Sequence, residues 1–561
     1  MPSTQAQPND ELVYLPLGGS GEVGMNLNAY GYGPPENRKW IVVDVGVTFG
    51  DLTTPGVDII VPDATFLEEN ARDILGIIVT HAHEDHIGGL PWLLPRLKAP
   101  IYATPFTAFL VREKLRNEGV TEFKLHEVKL GGTLELGPFT IDLVTLTHSI
   151  PEPNGLAIRT PLGVVLHTGD WKIDPEPVIG QTTDVNALRQ LGDEGVLAMV
   201  CDSTNVFVEG EVGSEADVRK ALTALLPTLK GKVAVGCFAS NVARIDSTVR
   251  AAEAAGRRVC LVGRSMLRMV AAAKSVGLLK DVGEFVRDDE SKHFPDDQLV
   301  YLVTGSQGEP RAALARIASG NHPHVKFSAG DSVIFSSRQI PGNEVAIGAV
   351  QNLLAEHGVH LITERDHPGI HVSGHPARGE LRQMYQWARP RIAIPTHGER
   401  RHLMEHVILA KELQVPEAIA PHNGEMIRLA PGPAQIIDEV PNGRLYVDGG
   451  VLTPANGEAL RERIHAGNNG VLMLTLALDK RGKLVSDIDL RAIGLPGDKE
   501  RPLEDALDDL ADLAEDTLRR LDSDARSDDE ALEQALSRAL KKASQRIWDR
   551  RPVVETIILR V

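Results

Sequence analysis

The sequence predicts a mixed α/β protein with more than one core and with its chemistry at strand ends. Three observations carry that reading. Short apolar runs divided by Gly, Pro and Asp extend to about residue 212, a regular strand–helix alternation follows over 213–365, and a separate tail begins near 467.

At 561 residues the chain exceeds one core, while 42% apolar and 24% charged residues suit a folded globular protein. The polar start, 1–12, is expected to be flexible. From 13 to 212 the runs "LVYLPLGG", "KWIVVDVGV", "ILGIIVT", "PIYATP", "GPFTIDLVTLTHS", "GVVLHTGDW" and "GVLAMVCDST" read as strands, with helical pieces at Pro91–Leu97 and Thr104–Asn117. Ser214 opens a helix over "SEADVRKALTALLPTL". After it, "KVAVGCFAS", "RRVCLVG", "QLVYLVTGS" and "DSVIFSS" alternate with helices, which predicts a separate parallel sheet within 213–365. The earlier style returns over 366–450, in "HPGIHVSGHP" and "PRIAIPTHGE".

A linker is expected over 451–466 and a small two-layer α/β domain over 467–561. There "GVLMLTLAL" and "KLVSDIDL" read as a strand pair, and "PVVETIILRV" as a closing strand. Leu503, Leu507, Leu510, Ala514, Leu518 and Leu521 recur at helical spacing, as do Leu532, Leu536, Leu540, Ala543 and Ile547.

Composition excludes several classes. Cys201, Cys237 and Cys260 lie far apart without a CxxC pair, so neither a disulfide framework nor a cysteine zinc site is indicated. The start "MPSTQAQPNDEL" lacks a basic-then-apolar signal, and no apolar run is long enough to span a bilayer. A cytoplasmic protein without a membrane partner is expected. The net charge of −18 argues against broad non-specific binding of polyanions, although divalent ions in a cleft would reverse the sign locally.

"GSGEVG", Gly19 to Gly24, matches a dinucleotide fingerprint, with Asp44 placed as its acidic partner. The following "MNLNAYGYGPPEN" holds two glycines and two prolines and cannot form the required helix, so a turn between strands is expected.

"HAHEDHIGG", His81 to Gly89, is different. Three histidines, a glutamate and an aspartate follow a buried strand, where their desolvation would be costly without a metal. His81, His83, Asp85 and His86 offer imidazole and carboxylate donors that suit zinc or manganese. His148, Asp170 and His397 follow other apolar strands and complete seven candidate ligands; by position alone His167 competes with Asp170. Two aspartates against two dications leave a net positive site that attracts a phosphodiester.

"THAHEDHIGG", "THS", "HTGDW" and "PTHGE", in this order, resemble the metallo-β-lactamase fold, an αββα sandwich in which these motifs supply a dinuclear zinc site. "CDSTN" (Asp202), "HVSGHP" (His375) and "PTHGE" (His397) are similar to the acidic, first-histidine and second-histidine motifs of the β-CASP nucleases, with the final histidine typical of members acting on RNA. "LGGSGEVGMN", "VDVGVTF", "FASNVAR", "VTGSQGEP" and "SSRQIPGNE" extend the resemblance to the bacterial ribonuclease J family over nearly the whole chain. Ala82 stands where many relatives have glycine, at a position that is no ligand.

The resemblance implies a metallo-β-lactamase domain (13–212 and 366–450) interrupted by a β-CASP domain (213–365) and followed by a C-terminal domain. It implies a nuclease of RNA decay, mRNA turnover and rRNA maturation that degrades single-stranded RNA 5′ to 3′ from a 5′-monophosphate and also cuts internally. Two zinc ions per subunit are implied, with manganese as the alternative, in a homodimer or homotetramer with partners in an RNA-degradation complex. Asp85 would orient the nucleophile, and His375, fixed by Asp202, would protonate the leaving oxygen. His371, Val372, Ser373, Gly374 and His375 would hold the 5′ phosphate. In Phe238, Ala239 and Ser240 the aromatic ring would stack a base and the hydroxyl bond phosphate, although "FAS" reads equally well as a strand-end turn. Ser306 and Gln307 are further contact candidates. A structural calcium would take the Pro55 and Val57 carbonyls with Asp448.

Two other functions fit the H-x-H-x-D-H motif. A small-molecule hydrolase of the same fold rarely needs an inserted domain, and a metal-bound assembly protein without turnover would not need His375 beside a complete ligand set.

Overall fold

The computed structural model describes residues 6–51, 53–340 and 342–561. The first five residues of the expected flexible start lie outside the described residues, and the rest of that segment runs into a strand, Glu11–Gly18. The chain divides into two compact units, one holding the residues up to Thr48 with Ile60–Arg444, the other holding Phe49–Ile59 with Leu445–Val561.

The first unit contains the αββα sandwich. An eight-stranded and a seven-stranded sheet face each other across one core, in which Tyr14, Tyr30, Ile41 and Ile78 meet Phe139, Ile158, Val200 and Ile394. Strand Ile74–Ile78 lies between Lys39–Val43 and Ile101–Ala103, parallel to both, and its near-continuous apolar sequence suits a strand buried on both faces. On the outer face of the seven-stranded sheet, Leu188, Leu191, Leu381, Met384 and Leu409 bring helices Val185–Glu194, Arg378–Ala388 and Arg400–Glu412 against Met199 and Ala393.

The insertion is legible in the strand order. Val196–Asp202 and Ile392–Thr396 pair in parallel, Asp202 opposite Thr396, although the whole inserted block separates them in sequence. That block forms a six-stranded sheet whose pairings are all parallel, centred on Leu299–Val303, Val233–Gly236 and Ser332–Phe335. Ser214 caps helix Glu215–Leu225 by accepting the Ala216 N–H at 3.1 Å. After "GSGEVG" the chain enters strand Leu27–Gly33 and forms no helix, which removes the dinucleotide site.

In the second unit, a three-stranded sheet places Val471–Leu478 between Asp489–Ile493 and Val553–Arg560. Leu472, Leu474, Leu476 and Leu478 point inward against Leu510, Ala514, Leu518, Leu532, Leu536 and Leu540 of helices Leu503–Arg520 and Asp529–Trp548. Two expectations need correction. The stretch 451–466, expected as a linker, holds strand Val451–Pro454 and the start of helix Glu458–Asn469; Leu460 alone in that helix is buried, so it lacks an apolar stripe to read. The second strand of the expected pair runs over Asp489–Ile493, later than "KLVSDIDL" indicated; Asp479 accepts the Arg481 and Lys483 N–H groups in the turn, and Leu484 makes only an isolated bridge to Leu478.

Candidate metal centre

Strand ends of both sheets deliver the site. His81 and His83 follow Ile74–Ile78, and Asp85 and His86 lie in the short helix Glu84–Ile87. The glycines after it are sterically required: a Cβ on Gly89 would stand 2.7 Å from the Gly46 carbonyl oxygen, and one on Gly46 would overlap the Asp85 carbonyl. His148 follows Phe139–Thr145, Asp170 follows Gly163–His167, and His397 follows Ile392–Thr396 at a left-handed φ of 50°. That conformation costs a non-glycine residue roughly 1 kcal/mol and turns this imidazole into the cleft.

The seven expected ligands converge in two sets of four donors, beside a third set made by Asp170, Asp202, His375 and His397. His81, His83, His148 and Asp170 form one, Asp85, His86, Asp170 and His397 the other, with Asp170 common to both and the donor atoms of each set within 4.8 Å of one another. In the first set, Nδ1 of His83 lies 3.1 Å from Nε2 of His81 and 3.0 Å from Nε2 of His148. In the second, the Asp170 carboxylate is 3.2 Å from Nε2 of His86, and Asp85 is 3.1 Å from Nε2 of His397.

The opposite ring nitrogens orient the rings. His148 Nδ1 donates to the Gly374 carbonyl at 2.6 Å, which leaves its Nε2 lone pair aimed at the centre, and His86 Nδ1 donates to Asp44 at 2.7 Å, which turns its Nε2 toward Asp170. Thr80 donates its hydroxyl proton to Asp44 at 2.8 Å and accepts from His81 Nδ1 at 3.1 Å, so the His81 lone pair points the same way. Three imidazole nitrogens meeting at 3.0–3.1 Å with at most one proton to share form a cradle for a cation.

Burial keeps the three imidazoles of the first set neutral. It pushes His81 and His148 well below the usual imidazole range and His83 down to about 4. Burial opposes charge on His86 and His397 too, but Asp170 overrides it and raises both. Burial likewise opposes ionisation of Asp85 and Asp170, yet His86 and His397 hold both carboxyls low. This second set carries a negative field that either protons or a dication can satisfy.

Beside these sets, His375 Nδ1 donates to Asp202 at 2.8 Å. Burial disfavours its charge, but Asp202 more than compensates and raises the His375 pKa. Asn205 donates to Ser373 Oγ at 2.8 Å and to the His375 carbonyl at 2.9 Å, fixing the loop that carries both. His371 is forced down to about 3 by burial, and its Nδ1 has no partner. Val372 packs toward Gly213, and Ser240 reaches His83 Nε2 at 3.0 Å from the inserted block, with Phe238 and Ala239 half-buried in the same turn.

Other candidates fall elsewhere. His167, the competitor of Asp170, takes the Tyr30 hydroxyl at 2.9 Å and joins no donor set among the described residues. Gln307 ties Arg338 and Ile340 together through both ends of its amide, at 2.8 and 3.0 Å. Pro55, Val57 and Asp448 belong to the second unit, where Asp448 accepts from Arg463 at 2.6 Å, a cation that calcium would have to displace. Asp44 and Thr80 escaped sequence reading as parts of the centre; the one trace was an aspartate closing the apolar run "KWIVVD".

Four family models match the chain: the metallo-beta-lactamase superfamily over residues 28–181, the ribonuclease J beta-CASP domain over 230–354, the Zn-dependent metallo-hydrolase RNA specificity domain over 367–421 and the ribonuclease J C-terminal domain over 458–561. Among curated proteins, ribonuclease J of Sinorhizobium meliloti is 47% identical over 556 residues, covering 99% of this chain and 98% of that protein. Ribonuclease J of Thermus thermophilus is 38% identical over 482 residues, covering 84% and 83%. A crystal structure of a protein of unknown function from Enterococcus faecalis shares the fold at 16% identity with a TM-score of 0.52, over 74% of this chain and 100% of that one.

Proposed function

We propose, because the chain belongs to the ribonuclease J family and is a metal-using nuclease of the metallo-β-lactamase hydrolases, that it degrades single-stranded RNA 5′ to 3′ from a 5′-monophosphate and also cuts internally. The observation that carries this reading is Asp170 shared between two four-donor sets, directly beside the His375–Asp202 pair.

The donor chemistry fits two divalent ions. The mainly imidazole set suits zinc, and the carboxylate-richer set takes zinc or manganese. Such ions supply Lewis acidity, lowering the pKa of the attacking water and neutralising charge on the phosphoryl oxygens.

The chain's own residues do the rest. Asp85 and Asp170 orient the attacking water in line with the bond to be broken. His375, held by Asp202, gives its proton to the departing 3′ oxygen. Water oxygen joins phosphorus, the bond from phosphorus to that 3′ oxygen breaks, and the products carry a 5′-phosphate and a 3′-hydroxyl. His371, Ser373 and Gly374 supply polar groups for the 5′ phosphate, Ser240 adds a hydroxyl, and Phe238 offers a ring for stacking.

Assembly as a homodimer or homotetramer is part of the same reading. It is supported by exposed Ile493, Ile557, Leu559 and Val561 in the second unit. Cytoplasmic RNA decay and maturation, with partners in a degradation complex, follow from the family. No helix among the described residues is long and apolar enough to cross a membrane.

The test uses end-labelled RNA with a 5′-monophosphate or a 5′-triphosphate, with and without chelator. Mononucleotides released faster from the monophosphate end, and lost on chelation, support the reading. Intact RNA beside chelator-sensitive hydrolysis of a thioester overturns it in favour of a small-molecule hydrolase.

A further inference from the structure

The five histidines of the centre do not draw their outer hydrogen-bond partners from the same part of the molecule. His81 leans on Thr80, His86 on Asp44 and His397 on Thr204, all within the sandwich. His83 and His148 instead lean on Ser240, in the inserted block, and on the Gly374 carbonyl, in the segment by which the chain returns from it. Both belong to the donor set His81, His83, His148 and Asp170; neither belongs to the set Asp85, His86, Asp170 and His397.

One buried group ties together the segments that lead to both partners. Arg244, 1% exposed, donates to Glu215 at 2.9 Å, to the Ser336 carbonyl at 2.7 Å and to the Ile370 carbonyl at 3.4 Å. Glu215 opens the helix Glu215–Leu225 by which the chain enters the inserted block, and Ile370 lies where it returns, four residues before Gly374. Asn241, next to Ser240, caps the helix carrying Arg244 and donates to the same Glu215 carboxylate at 3.0 Å. Asp174 anchors this cluster to the sandwich by accepting from Lys172 at 2.8 Å, Ser214 at 2.6 Å and the Glu215 N–H at 2.9 Å. The seating of the inserted block and the orientation of two metal-ligand rings are therefore one mechanical unit.

We infer that the inserted block sets the metal affinity of one of the two positions, with Ser240 as the positioning residue, so that the His81–His83–His148 ion is held by the insert's seating and the other ion is not. The inference rests on the two-ion reading above. Outer-sphere partners fix ring orientation and ligand basicity, and losing one weakens metal binding by about 10–100-fold. A hydroxyl that accepts from His83 also keeps its own proton to donate to a phosphate, so occupation of that phosphate position and retention of this ion favour each other.

The experiment titrates zinc into metal-free full-length protein against a chelating dye, without RNA, for the wild type, S240A and S240T. Two binding steps are expected in the wild type. S240A should weaken one of them by about 10–100-fold and spare the other, with S240T, which retains the hydroxyl, close to wild type. Adding uridine 5′-monophosphate should tighten the same step in the wild type and not in S240A. Two wild-type steps that S240A leaves unchanged, or weakens equally, overturn this inference and leave the nuclease reading standing. Fewer than two wild-type steps overturn the two-ion reading itself.

Discussion

At the scale of single residues, hydrogen bonds to Thr80 and Gly374 commit the neutral rings of His81 and His148 to tautomers whose Nε2 lone pairs face the centre. Replacing His81 and His83 together removes two of three nitrogens in one cradle, so the double variant should lose that ion, and RNA hydrolysis with it, by elemental analysis and a gel assay. His375→Ala should keep metal content while lowering kcat by about 100-fold or more, since a proton donor and not a ligand is lost. Unchanged kcat would remove His375 from the chemistry. His406, buried between Ser203 at 2.9 Å and Tyr385 at 3.0 Å, supplies a pH test outside the donor sets. Burial lowers its pKa to about 4, against about 6.5 in the unfolded chain. Above the unfolded value neither state binds the proton. As pH falls from 6.5 to 4 the unfolded chain binds it first, so stability declines by about 3 kcal/mol over that window. In His406→Asn, denaturant unfolding should show a shallower loss of stability between pH 7 and pH 5. The ligand residues were legible because they crowd a short stretch and stand at strand ends. Asp44 and Thr80 were not, since one carboxylate in an apolar run carries no sign of the ring it orients, and position alone could not separate Asp170 from His167.

At the scale of elements, buried polar pairs join what sequence separates. Removing the guanidinium in Arg244→Met leaves Glu215 charged in the interior without its ion-pair partner, and should cost about 3–5 kcal/mol in denaturant unfolding. The double variant with Glu215→Met should recover most of that loss. The Asp448–Arg463 pair bears on calcium: the wild type should bind calcium poorly in the second unit, and Arg463→Ala, which frees the carboxylate, should bind it better by calorimetry. Strands and long helices could be read from their apolar periods, the leucines of Leu503–Arg520 being the plainest case. Helix Glu458–Asn469 could not, because Leu460 is its one buried side chain.

At the scale of the whole molecule, an acidic chain with net charge −18 binds an anionic polymer only where its own field is reversed. The insertion was legible as a change of rhythm between two similar segments, because parallel strand–helix alternation differs in sequence from the turn-rich sandwich around it. How the insert meets the centre was not legible, since contacts such as Ser240 with His83 join residues far apart in the chain. The most direct test of the central claim reconstitutes metal-free protein with zinc in steps, measuring bound metal and release of mononucleotides from 5′-monophosphorylated RNA on the same samples. No activity is expected without metal, and full activity only as the second equivalent per chain is bound. Undiminished degradation by protein free of bound transition metal would contradict it.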